Sequence, residues 1–127
     1  NSCVHISSRD FPTIIGDYVS IGHSALVHAC RLEDHSFVGM GAIVMDGAVI
    51  ETDAMLAAGA MLTPGKRIPT GELWAGRPAR KMRQLTSEDI ADNRRIAMHY
   101  IEVGRTHKYG LDGAPFDQMQ SHPLPPK

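Results

Sequence analysis

Little in this chain marks the classes that composition identifies most readily. Its two cysteines, Cys3 and Cys30, are too few for a disulfide framework, and each reads as a small buried apolar filler among repeat residues. The formal net charge of -1 leaves no basic surplus of the kind that neutralises several phosphates, so no nucleic acid is expected as a partner. The basic residues that do gather, from Arg77 to Arg83, read as a solvated turn. No apolar run is long enough to cross a bilayer and no signal-peptide pattern opens the chain, which predicts a cytoplasmic protein without a membrane partner. A methionine is missing from the first position as well: Asn1 falls inside what already reads as a repeat, so further coils are expected upstream. What is present is 127 residues, one domain's worth, with 43% hydrophobic content, enough to bury a core.

That apolar content is spaced. Ile15, Ile21 and Val27, then Leu32, Val38, Val44, Ile50, Leu56, Leu62, Ile68 and Trp74 follow one another at intervals of six, with one step of five between Val27 and Leu32. Helices repeat apolar positions every three to four residues and strands every two, so a period of six over so long a run fits neither. It fits a parallel β-helix, in which each hexad supplies one strand and one corner, and three hexads close a triangular coil of about eighteen residues. The aliphatic residue points inward. A small residue follows it (Gly16, Gly22, Gly39, Ala57, Ala75), and a second small or aliphatic residue at the fifth place fills the corner (Val19, Ala25, Ser36, Ala42, Ala48, Ala54, Ala60).

Val4 fits an earlier coil, pointing in. Arg9, Asp10, Phe11 and Pro12 then break the beat, as a loop thrown out between Ser8 and Thr13 would. The β-helix is expected over residues 1–84, ending on a loosened corner at Thr63–Arg67 and a last strand with its exit at Trp74–Pro78. A helix is expected over residues 85–109. Thr86 caps it, Glu88 and Asp89 place negative charge in the first turn, and Ile90, Asn93, Ala97, Tyr100, Ile101 and Gly104 form a narrow face suited to lying along the β-helix or against a neighbouring subunit. Residues 110–127 read as a poorly ordered tail.

Three of the seven histidines stand at special phases of the repeat. His5 follows Val4 and His28 follows Val27, so a loop of about five residues after Ser7 would stack the two on one face, both outward. His23 belongs to the preceding hexad, and its imidazole should diverge from theirs. Within one chain the three rings cannot easily meet. Across a three-fold axis they can, which would present three neutral nitrogens and an open fourth position, the arrangement of a catalytic zinc site. His35, His99, His107 and His122 have no counterpart in phase and read as surface or tail residues.

His5, Gly22-His23 with His28, Val38-Gly-Met-Gly-Ala-Ile-Val-Met-Asp-Gly-Ala and Trp74-Ala-Gly-Arg-Pro-Ala together resemble the gamma-class carbonic anhydrase family, over roughly Asn1 to Tyr109. The histidine set is the discriminating part, since hexads alone fit any hexapeptide transferase. The resemblance implies a left-handed β-helix homotrimer with a helix along its side. It also implies three interfacial metal sites, each taking His5 and His28 from one subunit and His23 from the next. The metal implied is zinc, with iron or cobalt also acceptable to three imidazoles. The activity implied is reversible hydration of carbon dioxide to bicarbonate. Tyr100 falls where similar proteins carry a helix tyrosine near the metal, and orienting water or bicarbonate is the role the likeness suggests for it, beside that of a packing anchor. The chain departs from the family pattern in its short loop, where Asp10 is the only carboxylate, and in Glu102, where the archetype has asparagine. Two other readings stay open: a hexapeptide acyltransferase using coenzyme A, and a metal-stabilised trimeric scaffold without turnover.

Overall fold

Inward side chains at intervals of six can be buried only if successive coils stack in register, and the ladder pairings show that they do. The computed structural model describes residues 1–7 and 12–109, the side chains of Lys108 and Tyr109 aside. The expected loop around Asp10 and the expected tail, with His122, lie outside the described residues. The first coil supplies β1 (Cys3–His5), β2 (Ile14–Ile15) and β3 (Ser20–Ile21). The second supplies β4 (Leu26–His28), β5 (Arg31–Leu32) and β6 (Phe37–Val38), and the third β7 (Ile43–Val44), β8 (Val49–Ile50) and β9 (Met55–Leu56). The fourth ends the stack with β10 (Met61–Leu62), β11 (Arg67–Ile68) and β12 (Glu72–Ala75). Strands three apart pair in parallel, giving three faces: β1-β4-β7-β10, β2-β5-β8-β11, and β3-β6-β9-β12.

The interior is a column of aliphatic ladders. Val27, Leu32, Val38, Val44, Ile50, Leu56, Leu62 and Ile68 are all completely buried, each contributing about 1.5–3 kcal/mol of hydrophobic stabilisation. Ala25, Ser36, Ala42, Ala48, Ala54 and Ala60 fill the corners between them, also buried. Two expectations change at the first coil. Val4 and Ile15 share the ladders of Val27 and Leu32 but are 51% and 42% exposed, because no described residue stacks on their other side.

The segment after the last coil differs from its expected exit turn. It forms β13 (Arg80–Gln84), which pairs antiparallel with β12, and Lys81 bonds Glu72 at 2.5 Å. A strand whose side chains are mostly charged suits a sheet edge, where it leaves no bare ladder for another chain to extend.

Helix α1 runs from Ser87 to Tyr109. The Thr86 hydroxyl accepts from the Asp89 N–H at 3.1 Å, and Asp89 Oδ2 accepts from the Thr86 N–H at 2.8 Å, so two otherwise orphaned donors satisfy each other's ends in a capping box. Arg83 grips the same carboxylate at 2.6 and 3.1 Å and, with Thr86, holds Asp89 well below the usual aspartate range. The chain divides into two compact units, Asn1–Ala97 and Met98–Lys127. Within the first, Arg94 makes a two-pronged bond to Asp53 at 3.0 and 2.7 Å, and Ala97 is buried. No helix among the described residues is long and apolar enough to cross a membrane.

Candidate metal centre

His5 and His28 occupy the same rung. Parallel pairing of β1 with β4 sets His5 opposite His28, next to the Val4–Val27 pair whose side chains point inward, so alternation along the strands turns both imidazoles outward. Their rings lie 5.3 Å apart and nearly parallel, and His5 Nδ1 stands 3.3 Å from His28 Nε2. The other nitrogen of His28, Nδ1, is 2.6 Å from Asp46 Oδ1. A carboxylate can only accept, so Nδ1 carries the proton and the lone pair of His28 sits on Nε2, facing His5.

The backbone beneath the pair is tied at the corner where the repeat is irregular. The Thr13 hydroxyl donates to the His5 carbonyl and accepts from the Ala29 N–H at 2.9 Å, and the same N–H also reaches the His5 carbonyl at 3.0 Å. Ala29 has φ of 47°, a left-handed conformation that costs a non-glycine residue about 1–2 kcal/mol. The six-residue corners turn through the same conformation, at Tyr18, Ser24, His35, Gly41, Gly47 and Asp53 among others, three places after the inward side chain; the shortened corner reaches it one residue sooner, two places after Val27.

His23 sits elsewhere, exposed in the turn between β3 and β4, with Gly41 donating to its carbonyl at 2.8 Å. Gly22 beside it has no space for a Cβ, which would lie 2.5 Å from Met40 N. The left-handed turn at Ser24, with φ of 59°, stands between His23 and the strand that carries His28. Among the described residues no three His, Cys, Asp or Glu side chains gather to hold a metal. One chain therefore brings His5 and His28 together and leaves His23 apart.

Tyr100 lies on α1 in the second unit, exposed, its ring edge-on to that of His99 at 5.6 Å. The cysteines split: Cys30 is buried, and burial pushes its thiol up to about 11, so it stays protonated and inert, whereas Cys3 is exposed rather than a core filler. His35 is not a free surface residue either. It stacks flat on Tyr18 at 5.0 Å, with its Nδ1 buried and unbonded among the described residues. The residue that phase reasoning missed is Asp46. Strand β7, two places before it, pairs Val44 with Val27, so Met45 is the residue in phase with His28, and it is the side chain one place further on that reaches the ring, at the edge where the coil above is one residue short.

Two neutral ring nitrogens converging on the outside of a rigid ladder, one of them oriented by a carboxylate, are a donor set suited to zinc or a similar borderline cation. The coil, the ladder pairing and the buried aliphatic column define a hexapeptide-repeat β-helix. No protein-family model matches the chain. It is 55% identical over 104 residues to "Probable carbonic anhydrase" of Methanocaldococcus jannaschii, covering 82% of this chain and 65% of that one. It is 48% identical over 112 residues to "Gamma carbonic anhydrase 1, mitochondrial" of Arabidopsis thaliana, covering 84% and 41%. Among solved structures, a hexapeptide transferase family protein from Anaplasma phagocytophilum superimposes with a TM-score of 0.78 at 50% identity, covering 83% of this chain and 61% of that one. The chain belongs to the gamma carbonic anhydrase-like family of left-handed β-helix proteins. It spans about half the length of the curated relatives it matches.

Proposed function

We propose that the chain acts as a homotrimer that holds zinc, or iron or cobalt in its place, between subunits and hydrates carbon dioxide reversibly to bicarbonate. The observation that carries this reading is the His5–His28 pair, with two ring nitrogens 3.3 Å apart on an outward face and no third donor among the described residues. His5 and His28 of one subunit and His23 of its neighbour would complete the set. The face that bears the pair supports such packing: Cys3, Leu26, Ile43 and Met61 line its outer side, an apolar strip beside the imidazoles. A metal held there supplies Lewis acidity, which makes water acidic enough to serve as a nucleophile near neutral pH. His5 and His28, with His23 of the neighbouring subunit, would hold the cation through their ring nitrogens. Tyr100 is the residue proposed to orient water or bicarbonate, and removing it should lower kcat without altering metal content.

The test combines metal analysis, mass in solution and stopped-flow carbon dioxide hydration on the purified protein. One metal per subunit is expected in a trimer, and H5A, H23A and H28A should each lose it. Mixed trimers of H23A and H28A chains should regain a fraction of the sites, because each variant supplies what the other lacks. Full metal in H23A, or no recovery on mixing, would refute ligand sharing. The likeness to a hexapeptide transferase family protein favours a second reading, acyl transfer from coenzyme A. Acyl-coenzyme A turnover by metal-free protein would support it. Stoichiometric metal with neither activity would leave a metal-stabilised scaffold.

A further inference from the structure

We propose that Asp46 is a positioning residue for the metal centre, fixing His28 as the tautomer whose free lone pair lies on Nε2. The inference rests on reading His5 and His28 as ligands and goes beyond it, since it assigns which nitrogen of His28 is offered and what enforces the choice. A neutral imidazole carries its proton on either nitrogen, and a ring presenting N–H to a cation cannot bind it. The 2.6 Å contact of Asp46 Oδ1 with Nδ1 holds the proton on the side away from His5.

Three features make that contact a built one. Asp46 is anchored through its own backbone, its carbonyl accepting from the Gly65 N–H at 2.9 Å, and the preceding Met45 N–H reaches the Leu62 carbonyl at 3.1 Å, so the carboxylate is carried on the ladder. Among the described residues Asp46 has no lysine or arginine ion-pair partner that would draw its carboxylate away from His28. The Gly47 N–H is bonded to the Ala29 carbonyl at 2.8 Å, which holds the corner after Asp46 at a fixed separation from the corner after His28. Among the described residues His5 has no such carboxylate, and its Nδ1 meets only His28. Asp46 thus makes the two ligands unequal, with His28 held in one tautomer and His5 left to take its tautomer from its surroundings.

The experiment uses the intact protein, wild type and the variants D46A and D46N. Asn offers a carbonyl oxygen in place of the carboxylate, so D46N keeps an acceptor without the charge. Long-range proton–nitrogen NMR of metal-free protein, at a pH where the imidazoles are neutral, should show His28 protonated on Nδ1 in wild type and D46N and a mixture of tautomers in D46A. Zinc affinity, read by competition with a chelating dye, should fall about 10- to 100-fold in D46A and less in D46N. A wild-type His28 protonated on Nε2, or a D46A affinity within twofold of wild type, would overturn the proposal. If D46A does not fold, D46N decides alone: its retained tautomer and intermediate affinity support the role, and unchanged affinity refutes it. Should wild type bind no zinc, the metal reading fails, while the NMR result still decides whether Asp46 sets the His28 tautomer.

Discussion

Replacing Gly39 by alanine tests how tightly the coils are stacked at the corner that carries His23. A Cβ built there would stand 2.6 Å from Ala57 C and 2.7 Å from Ala58 Cα, with Ala58 N closer still, where ordinary contacts begin at 3.4 Å. All of those atoms are backbone, so no rotamer can relieve the clash, and the coils must part by about 0.8 Å to restore contact at Ala57 C. The parting would stretch the Gly39 N–H bond to the Leu56 carbonyl and the Gly59 N–H bond to the Met40 carbonyl, both 2.8 Å, beyond useful hydrogen-bond length. Two weakened bonds at about 1 kcal/mol each and overpacking of about 1–3 kcal/mol, less about 0.5–1 kcal/mol gained by stiffening the unfolded chain, leave a net loss of about 3 kcal/mol. Gly41 is the matched control. Its φ of 65° makes it the residue that conformational rules would protect, yet a Cβ there meets nothing within 4 Å. Its replacement should cost only the left-handed strain less the same unfolded-state gain, about 1 kcal/mol. With a urea slope of about 2 kcal/mol/M, midpoints should fall by about 1.5 M for G39A and about 0.5 M for G41A at equal protein concentration. A larger loss in G41A than in G39A would refute the view that close backbone approach, and not glycine's freedom, governs this corner.

Two further outcomes follow from the core and the cap. Leu32→Ala should destabilise by about 3 kcal/mol in chemical denaturation because the side chain is completely buried, while Ile15→Ala, 42% exposed in the coil above, should cost clearly less. Thr86→Ala should cost about 1 kcal/mol at neutral pH and speed amide exchange in the first turn of the helix. Asp89 is titrated downward on folding by Arg83 and Thr86, so its contribution is complete above the ordinary aspartate value of 3.8 and fades only as pH falls below it toward the depressed folded value. Protection in that turn, taken relative to the intrinsic exchange rate at each pH, should therefore fall in acid, and a first turn protected equally at pH 6 and in strong acid would contradict the sign.

The sixfold beat was sufficient to read the coil, the inward ladder and the stacking of His5 on His28, because a solenoid converts sequence interval directly into spatial register. The helix start was equally plain, since Thr86 and Asp89 form a local motif that needs no tertiary partner. Where register was irregular, reading stopped. Asp46 touches His28 at the edge where the corner at Ala29 is one residue short, and phase alone assigns that place to Met45. Strand β13 was read as a solvated turn because its charged residues show no apolar face; it is held by the hydrogen bonds of an edge, which composition does not report. Tyr18 and His35 meet through corner turns at φ of 58° each, a conformation neither residue type advertises.

The irregular lengths in the repeat share one address. Passing from the face of β1, β4, β7 and β10 to the face of β2, β5, β8 and β11, successive coils take eleven, five, six and six residues between inward side chains (Val4–Ile15, Val27–Leu32, Val44–Ile50, Leu62–Ile68), whereas the other two edges keep six throughout. Insertions and deletions are thereby quarantined along a single seam, which is also the seam from which His28 and Asp46 project. Because each rung answers only to the rungs beside it, the molecule can redraft that seam without disturbing the scaffolding elsewhere, and novelty in its chemistry comes at little cost in folding.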